Sequence, residues 1–368
     1  MVDVLDDDIN FKLITRDRDW GDNSPYKNIK VNEWNDAKNC KIYYLSKHNS
    51  FLFTRNQAQS TKNKLTNPQS LRTIINNTDF DTYYLNSLFD FSYSIKIILL
   101  RKLRLIPQKK VILAPRGEFM DGALKTRTLK KRVFIVLSKL LRLYKNVIWH
   151  ASTESEAAEI KREMGMDISY KTALDVPDFS LLERKVNRRE KEKGKLKILF
   201  ISVIVPKKNL KFAIEVLNKV EGDFAFDIYG PIKDEQYWKE CLDAISPKIK
   251  ARVNYKGEVN NSDIHNIYPN YDLFFFPTLG ENFGHVVWES LAFGCPVLTT
   301  NTTPWNGLED FGAGWNFSIK DYGGIKEKIM ELINTNENSY SLLGDGCVKY
   351  TNGFSKDKTL SDNICLFN

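Results

Sequence analysis

Two glutamates eight positions apart, Glu281 and Glu289, bracket the turn Asn282-Phe283-Gly284-His285. An apolar run at 273–277 precedes them, and Pro277 and Gly280 close it as a strand. Val286, Val287, Leu291 and Ala292 then recur at helical spacing until Gly294, and a second apolar run follows at 296–299. A helix that opens at 282–285 directly after a strand leaves backbone N–H groups without intrahelical partners at the carboxyl edge of a sheet, where open parallel sheets bind ligands. Such amides, at the positive end of the helix dipole, form a cradle for a diphosphate. The flanking carboxylates suit hydroxyls on two different rings of one elongated ligand, because both placed beside phosphates would be repelled. The plainer reading is a solvated helix start where acids are favoured by the dipole.

Positioning such a turn requires an α/β framework, and the whole chain carries its pattern. Short apolar runs at 11–15, 40–45, 82–85, 111–114 and 147–150 in the first half, and at 196–202, 224–229, 253–256, 273–277 and 296–299 in the second, alternate with stretches of helical period. Several runs are continuously apolar, which predicts parallel sheets covered on both faces. At 368 residues the chain suits two doubly wound, Rossmann-like domains. The boundaries expected are 1–185 for the first, a charged linker at 186–195, 196–345 for the second, and a tail at 346–368 that packs back on the first. Thr153-Glu154-Ser155-Glu156 predicts a capping box. Residues 1–8 read as the tail of a helix, and the first glycine, Gly21, lies beyond the first strand, so the amino-terminal sheet is expected to lack a central strand and its glycine-rich turn.

Glu281-x7-Glu289, set within Pro-Thr-x-Gly-Glu-Asn-Phe-Gly-His and followed by Phe-Gly-Cys-Pro-Val, resembles the signature of the family 4 retaining glycosyltransferases. The resemblance extends through Ser202 to Leu210, Tyr229-Gly230-Pro231, Tyr255-Lys256-Gly257-Glu258 and Thr303-Pro304-Trp305, and more loosely to Ala114-Pro115-Arg116-Gly117. It implies a GT-B fold, with two domains facing a cleft, and transfer with retention from a nucleoside-diphosphate sugar to a glycan or lipid-linked acceptor of surface polysaccharide synthesis, with no metal cofactor. Carried over by position, Glu281 meets donor-sugar hydroxyls and Lys208 the diphosphate, as the catalytic pair. Asn282, Phe283, Gly284 and His285 supply the turn, Glu289 binds the ribose, and Ser202, Gly230, Tyr255, Lys256, Gly257 and Glu258 line the nucleotide, with Arg116 near phosphate or acceptor. Val203 stands where the family usually has an arginine, which together with the amino-terminal departure keeps a non-catalytic, truncated remnant that binds nucleotide or a partner as the alternative.

The remaining features bound the function rather than define it. The histidines His48, His150, His265 and His285 and the five cysteines are scattered, which gives no metal-ligand spacing and fits a reducing compartment. No apolar run reaches membrane-spanning length and the chain opens on acids, so a cytoplasmic protein is expected. Net charge is +8, and residues 125–145 hold eight Lys or Arg and no acid. Val133, Phe134, Leu137, Leu140, Leu141 and Tyr144 recur there at helical spacing. A helix packing that stripe on the sheet is one reading; contact with the anionic inner face of a membrane is the other. Nucleic acid is not expected, since no stacking aromatics interleave the cations.

Overall fold

The computed structural model describes residues 1–5, 8–18, 24–46, 69–120, 123–124, 128–184 and 187–368. The expectations on Asp6, Asp7, Gly21, His48 and residues 125–127 and 186 lie outside the described residues. The chain divides into two compact units, Met1–Val176 with Asp357–Asn368, and Pro177–Lys356.

The first unit contains β1 (Phe11–Arg16), β2 (Trp34–Ala37), β3 (Cys40–Leu45), α1 (Leu71–Asn76), β4 (Thr82–Asn86), α2 (Lys96–Lys102), β5 (Lys110–Ala114), α3 (Thr128–Leu140), β6 (Val147–Ala151), α4 (Glu154–Met164) and β7 (Ser169–Thr172). Four strands form a parallel sheet in the order β4-β5-β6-β7, while β1-β3-β2 form a separate sheet in which β2 runs antiparallel to β3. One face of the four-stranded sheet carries the larger core, including Leu85, Leu113 and Trp149; Ile112 and Ile148 face the other side. The chain's last helix, given below, reaches that other side with Leu366 and Phe367. The Phe367 ring lies against both Phe11 of β1, at 6.0 Å, and Tyr84 of β4, at 5.8 Å, so an aromatic contact joins the two sheets. Thr153 caps α4 through the Glu156 amide, as its spacing predicts, but the Glu156 carboxylate accepts from the Ser152 and Gly117 amides rather than closing the box on Thr153.

One helix corrects the sequence reading. In α3 the core side is Phe134, Ile135 and Ser138, whereas Val133, Leu137 and Leu140, expected to face the sheet, are exposed, as is Leu141 just beyond. The helix is apolar on two opposite faces, and Phe134 and Ile135 take the inner one because Phe134 meets Phe89 at 5.9 Å.

The second unit contains β8 (Lys195–Ile201), α5 (Leu210–Leu217), β9 (Asp223–Tyr229), α6 (Glu235–Asp243), β10 (Val253–Gly257), β11 (Leu273–Phe276), α7 (His285–Ala292), β12 (Val297–Thr300), β13 (Gly314–Phe317), α8 (Tyr322–Asn334) and α9 (Glu337–Asn352). The final helix, α10 (Lys356–Phe367), carries the chain back into the first unit. The six strands run parallel in the order β10-β9-β8-β11-β12-β13, the reversal of direction about β8 and β11 that defines a doubly wound sheet. β11 and β12 are buried at every residue, as their continuous apolar sequences require.

Residues 187–195, expected as a solvated linker, pack within this unit. Lys191 is buried, its ammonium bonded to the carbonyls of Glu192, Lys195 and Ile333, and its amide donates to Glu337. Arg189 pairs with the fully buried Asp272 at 3.5 Å. Glu190, Glu192, Lys193 and Lys195 stay exposed, so the charge in this segment serves buried pairing at Lys191 and Arg189 and solvent elsewhere.

Candidate functional site

Ser202, Lys208, Glu281 and the turn 282–285 lie beyond the carboxyl ends of β8 and β11, the two strands that flank the reversal. After β8, Pro206–Lys208 form a single 3-10 turn that Asn209 ends in the left-handed conformation, φ 61°, before α5 begins. After β11, the chain runs through Pro277 to Gly284 into α7. The two loops are sewn together: the Leu279 amide donates to the Lys207 carbonyl at 2.9 Å, and the Asn209 side-chain amide to the Pro277 carbonyl at 3.0 Å. Thr300 and Thr302 at the end of β12 hold the Thr278 carbonyl. The frame is therefore fixed by one backbone bond and by side-chain donors to the Pro277 and Thr278 carbonyls.

Within it, Lys208 Nζ donates to Glu281 Oε1 at 2.6 Å, and Thr278 Oγ1 donates to the same oxygen at 2.9 Å. Lys208 Nζ also stands 5.4 Å from the Phe276 ring centroid. Both members of the pair are largely buried, so each is compensated chiefly by the other. The sequence separates these residues by 73 positions; the parallel crossover brings them into contact.

Gly284 occupies the N-cap of α7 with φ 82°, so no side chain caps the helix. A side chain here would be strained by that backbone and would crowd Trp305 Nε1, at 3.3 Å, and Glu281 Cγ, at 3.4 Å. Trp305 Nε1 donates to the Phe283 carbonyl, and its ring packs on Phe283 at 5.0 Å, which fixes the turn from the β12 side. His285 is exposed at the helix start. One further turn along, Glu289 accepts from Tyr268 Oη at 3.2 Å. Burial raises the Glu289 carboxyl to about 7; the Tyr268 bond opposes that shift and the charge of Asp178 adds to it.

The expected nucleotide-lining residues lie on the neighbouring strands. Gly230, φ 129°, lets the end of β9 touch the loop after β8, since an added Cβ would fall on the Ser202 carbonyl oxygen. Its amide donates to the Gly257 carbonyl at 2.9 Å, and its carbonyl accepts from Tyr255 Oη at 2.9 Å. Tyr255 presents a half-exposed ring that packs on Trp238 at 5.0 Å. Lys256 reaches Asp227 at 3.5 Å, and Glu258 is exposed.

Arg116 belongs to the first unit, at the carboxyl end of β5, with φ 56°. Its guanidinium pairs with Asp175 and donates to Asn86 Oδ1 at 3.0 Å and Tyr84 Oη at 2.8 Å. Tyr84 Oη in turn lies 2.6 Å from His150 Nδ1, whose Nε2 is 2.8 Å from the Ala173 carbonyl. Burial lowers the His150 pKa to about 4 and raises that of Tyr84 to about 12. Donation from Nε2 to the carbonyl leaves Nδ1 to accept from Tyr84, and so fixes one neutral tautomer.

Sequence reasoning did not pick out Thr278 and Tyr268. Thr278 lies in the Pro-Thr-x-Gly-Glu string, a usable signal; Tyr268 had none, because its contact with Glu289 comes from tertiary packing.

Residues 183–342 match the family described as Glycosyl transferases group 1. The chain is 35% identical over 108 residues to the capsular polysaccharide biosynthesis glycosyltransferase CapM of Staphylococcus aureus, a match covering 29% of this chain and 28% of that one. It spans 60% or less of the length of the curated relatives it matches. A sucrose-phosphate synthase from Thermosynechococcus elongatus superposes with TM-score 0.68 at 12% identity, covering 97% of this chain and 88% of the other. HepE of Anabaena, crystallised with UDP and glucose, superposes with TM-score 0.58 at 13% identity, covering 78% and 76%. The chain therefore has the GT-B fold, two parallel-sheet Rossmann-like units, and the residues that match the group 1 glycosyl transferase family lie in the second.

Proposed function

We propose that the chain is a retaining glycosyltransferase that moves a sugar from a nucleoside diphosphate to a glycan or lipid-linked oligosaccharide in surface polysaccharide synthesis, without a catalytic metal. The observation that carries this reading is the joining of Lys208, Glu281 and Thr278 beside the uncapped start of α7. The capsular role of CapM and the UDP and glucose held by HepE supply the substrate class by analogy.

In this reading the bond from the anomeric carbon to the diphosphate oxygen breaks, and negative charge grows on that oxygen. Lys208 and the first amides of α7 stabilise it without reorganising. Glu281 holds a donor-sugar hydroxyl and Glu289 the ribose hydroxyls, with Tyr255 beside the base. The acceptor hydroxyl forms its bond to the anomeric carbon on the face the diphosphate leaves, and its proton passes to the departing phosphate oxygen. Donor binding exchanges the Lys208–Glu281 contact for phosphate on one side and a hydroxyl on the other, so neither buried charge is left alone.

Turnover of a nucleoside-diphosphate sugar in EDTA tests the reading. Wild type keeps its rate, while Glu281→Gln and Lys208→Met lose about 10²–10³ in kcat. Wild-type rates in both variants, or a rate abolished by EDTA, would contradict it. Val203, which offers no cation at the end of β8, favours a second reading in which nucleotide binds and nothing is transferred; donor binding with no product in any acceptor extract would establish that one.

A further inference from the structure

The outer face of α3 is apolar, and among the described residues nothing covers it. Leu129 and Leu140 are each 77% exposed, and Val133, Val136 and Leu137 are about half exposed. Their spacing of three and four places them in one stripe along a helix about 20 Å long. Phe134, Ile135 and Ser138, on the opposite side, hold the helix to its unit, so the stripe points straight outward.

Exposed cations border it. Lys130, Arg132 and Lys139 lie on the helix, and Arg142 and Lys145 follow its end. The sequence 125–145 has eight basic residues and no acid. An apolar stripe of this kind suits the boundary between headgroups and acyl chains, where the side chains dip a few ångströms and the cations meet anionic headgroups. Lysine-rich surroundings argue against an ordinary protein interface, which is depleted in that residue. A second copy would bring two sets of like charges together. Among the described residues no helix is long and apolar enough to cross a membrane, so the contact is one of lying on the surface.

The geometry points to α3 as a docking face for an anionic lipid bilayer. Docking is independent of the sugar chemistry proposed above, since it is read without any substrate, and its failure leaves that proposal untouched.

Co-sedimentation of the intact chain with vesicles of one-third phosphatidylglycerol in phosphatidylcholine tests it. Wild type is expected to bind, with weaker binding to pure phosphatidylcholine and release at high salt. Each basic side chain near such a surface contributes about a five-fold factor, so Lys130→Gln/Arg132→Gln/Lys145→Gln should weaken binding about a hundredfold. Leu129→Ser/Val136→Ser/Leu140→Ser should abolish it while keeping the wild-type thermal midpoint, because these side chains are already exposed. Absence of wild-type binding, or unchanged binding in either variant, would overturn the inference. So would a concentration-dependent dimer that the serine variant loses, which would make the stripe a protein interface.

Discussion

Glu289 sits in the balance between neutral and ionised forms at physiological pH, because burial lifts its carboxyl to about 7. A carboxylate that accepts hydrogen bonds from sugar hydroxyls must be ionised to accept two of them. Donor affinity should therefore rise with pH through about 7 and fall below it, and Glu289→Gln should bind more weakly with no such dependence; calorimetric titration from pH 6 to about 8 reads both. In the ligand-free protein the sign is opposite. The native state holds this proton more tightly than the unfolded chain, so the Glu289 contribution to stability is present at low pH and is lost as pH rises through about 7. His150 behaves the other way, since its pKa is depressed to about 4. The stability it carries is present above the unfolded value of about 6.5 and is lost as pH falls towards 4. A thermal midpoint that declines over that window in wild type, and less in His150→Asn, is the expected result.

At the scale of elements, the site depends on two strand–turn–helix units meeting across the middle of a parallel sheet. At Gly230 the end of β9 leaves no room for a side chain against the loop after β8, and Gly230→Ala combines a disfavoured backbone with a clash against the Ser202 carbonyl. The substitution should cost about 3 kcal/mol and lower the thermal midpoint by roughly 10 °C; a midpoint within a degree of wild type would mean the contact is slack. Strands β5, β11 and β12 and the start of α7 were legible because buried parallel strands are continuously apolar and because Gly and Pro punctuate their ends. Strands β2, β7 and β13 were not, since Trp34–Ala37, Ser169–Thr172 and Gly314–Phe317 are short and partly polar and owe their shape to their neighbours. The inner face of α3 was misread for a different reason. Helical spacing shows that a face is apolar, but two apolar faces cannot be ranked by periodicity, and the fit of Phe134 against Phe89 decides. Likewise, a run of alternating charges looks identical in sequence whether it is solvated or, like Lys191 and Arg189, folded onto buried partners.

At the scale of the whole molecule, the proposed donor site and the basic helix lie on different units. The Lys208–Glu281 pair and the residues ringing it belong to the second unit, and the basic, doubly apolar α3 belongs to the first. Their effects should separate: changes on α3 alter surface binding and leave donor affinity alone, and changes at Lys208 do the reverse. Calorimetric titration of the intact chain with UDP-, GDP- and ADP-sugars in EDTA addresses the central claim most directly. One of these ligands should bind at a single site, with affinity reduced at least about tenfold in Lys208→Met and unchanged in Lys130→Gln. Equal affinity in wild type and Lys208→Met, or no binding by any member of the series, would contradict the account.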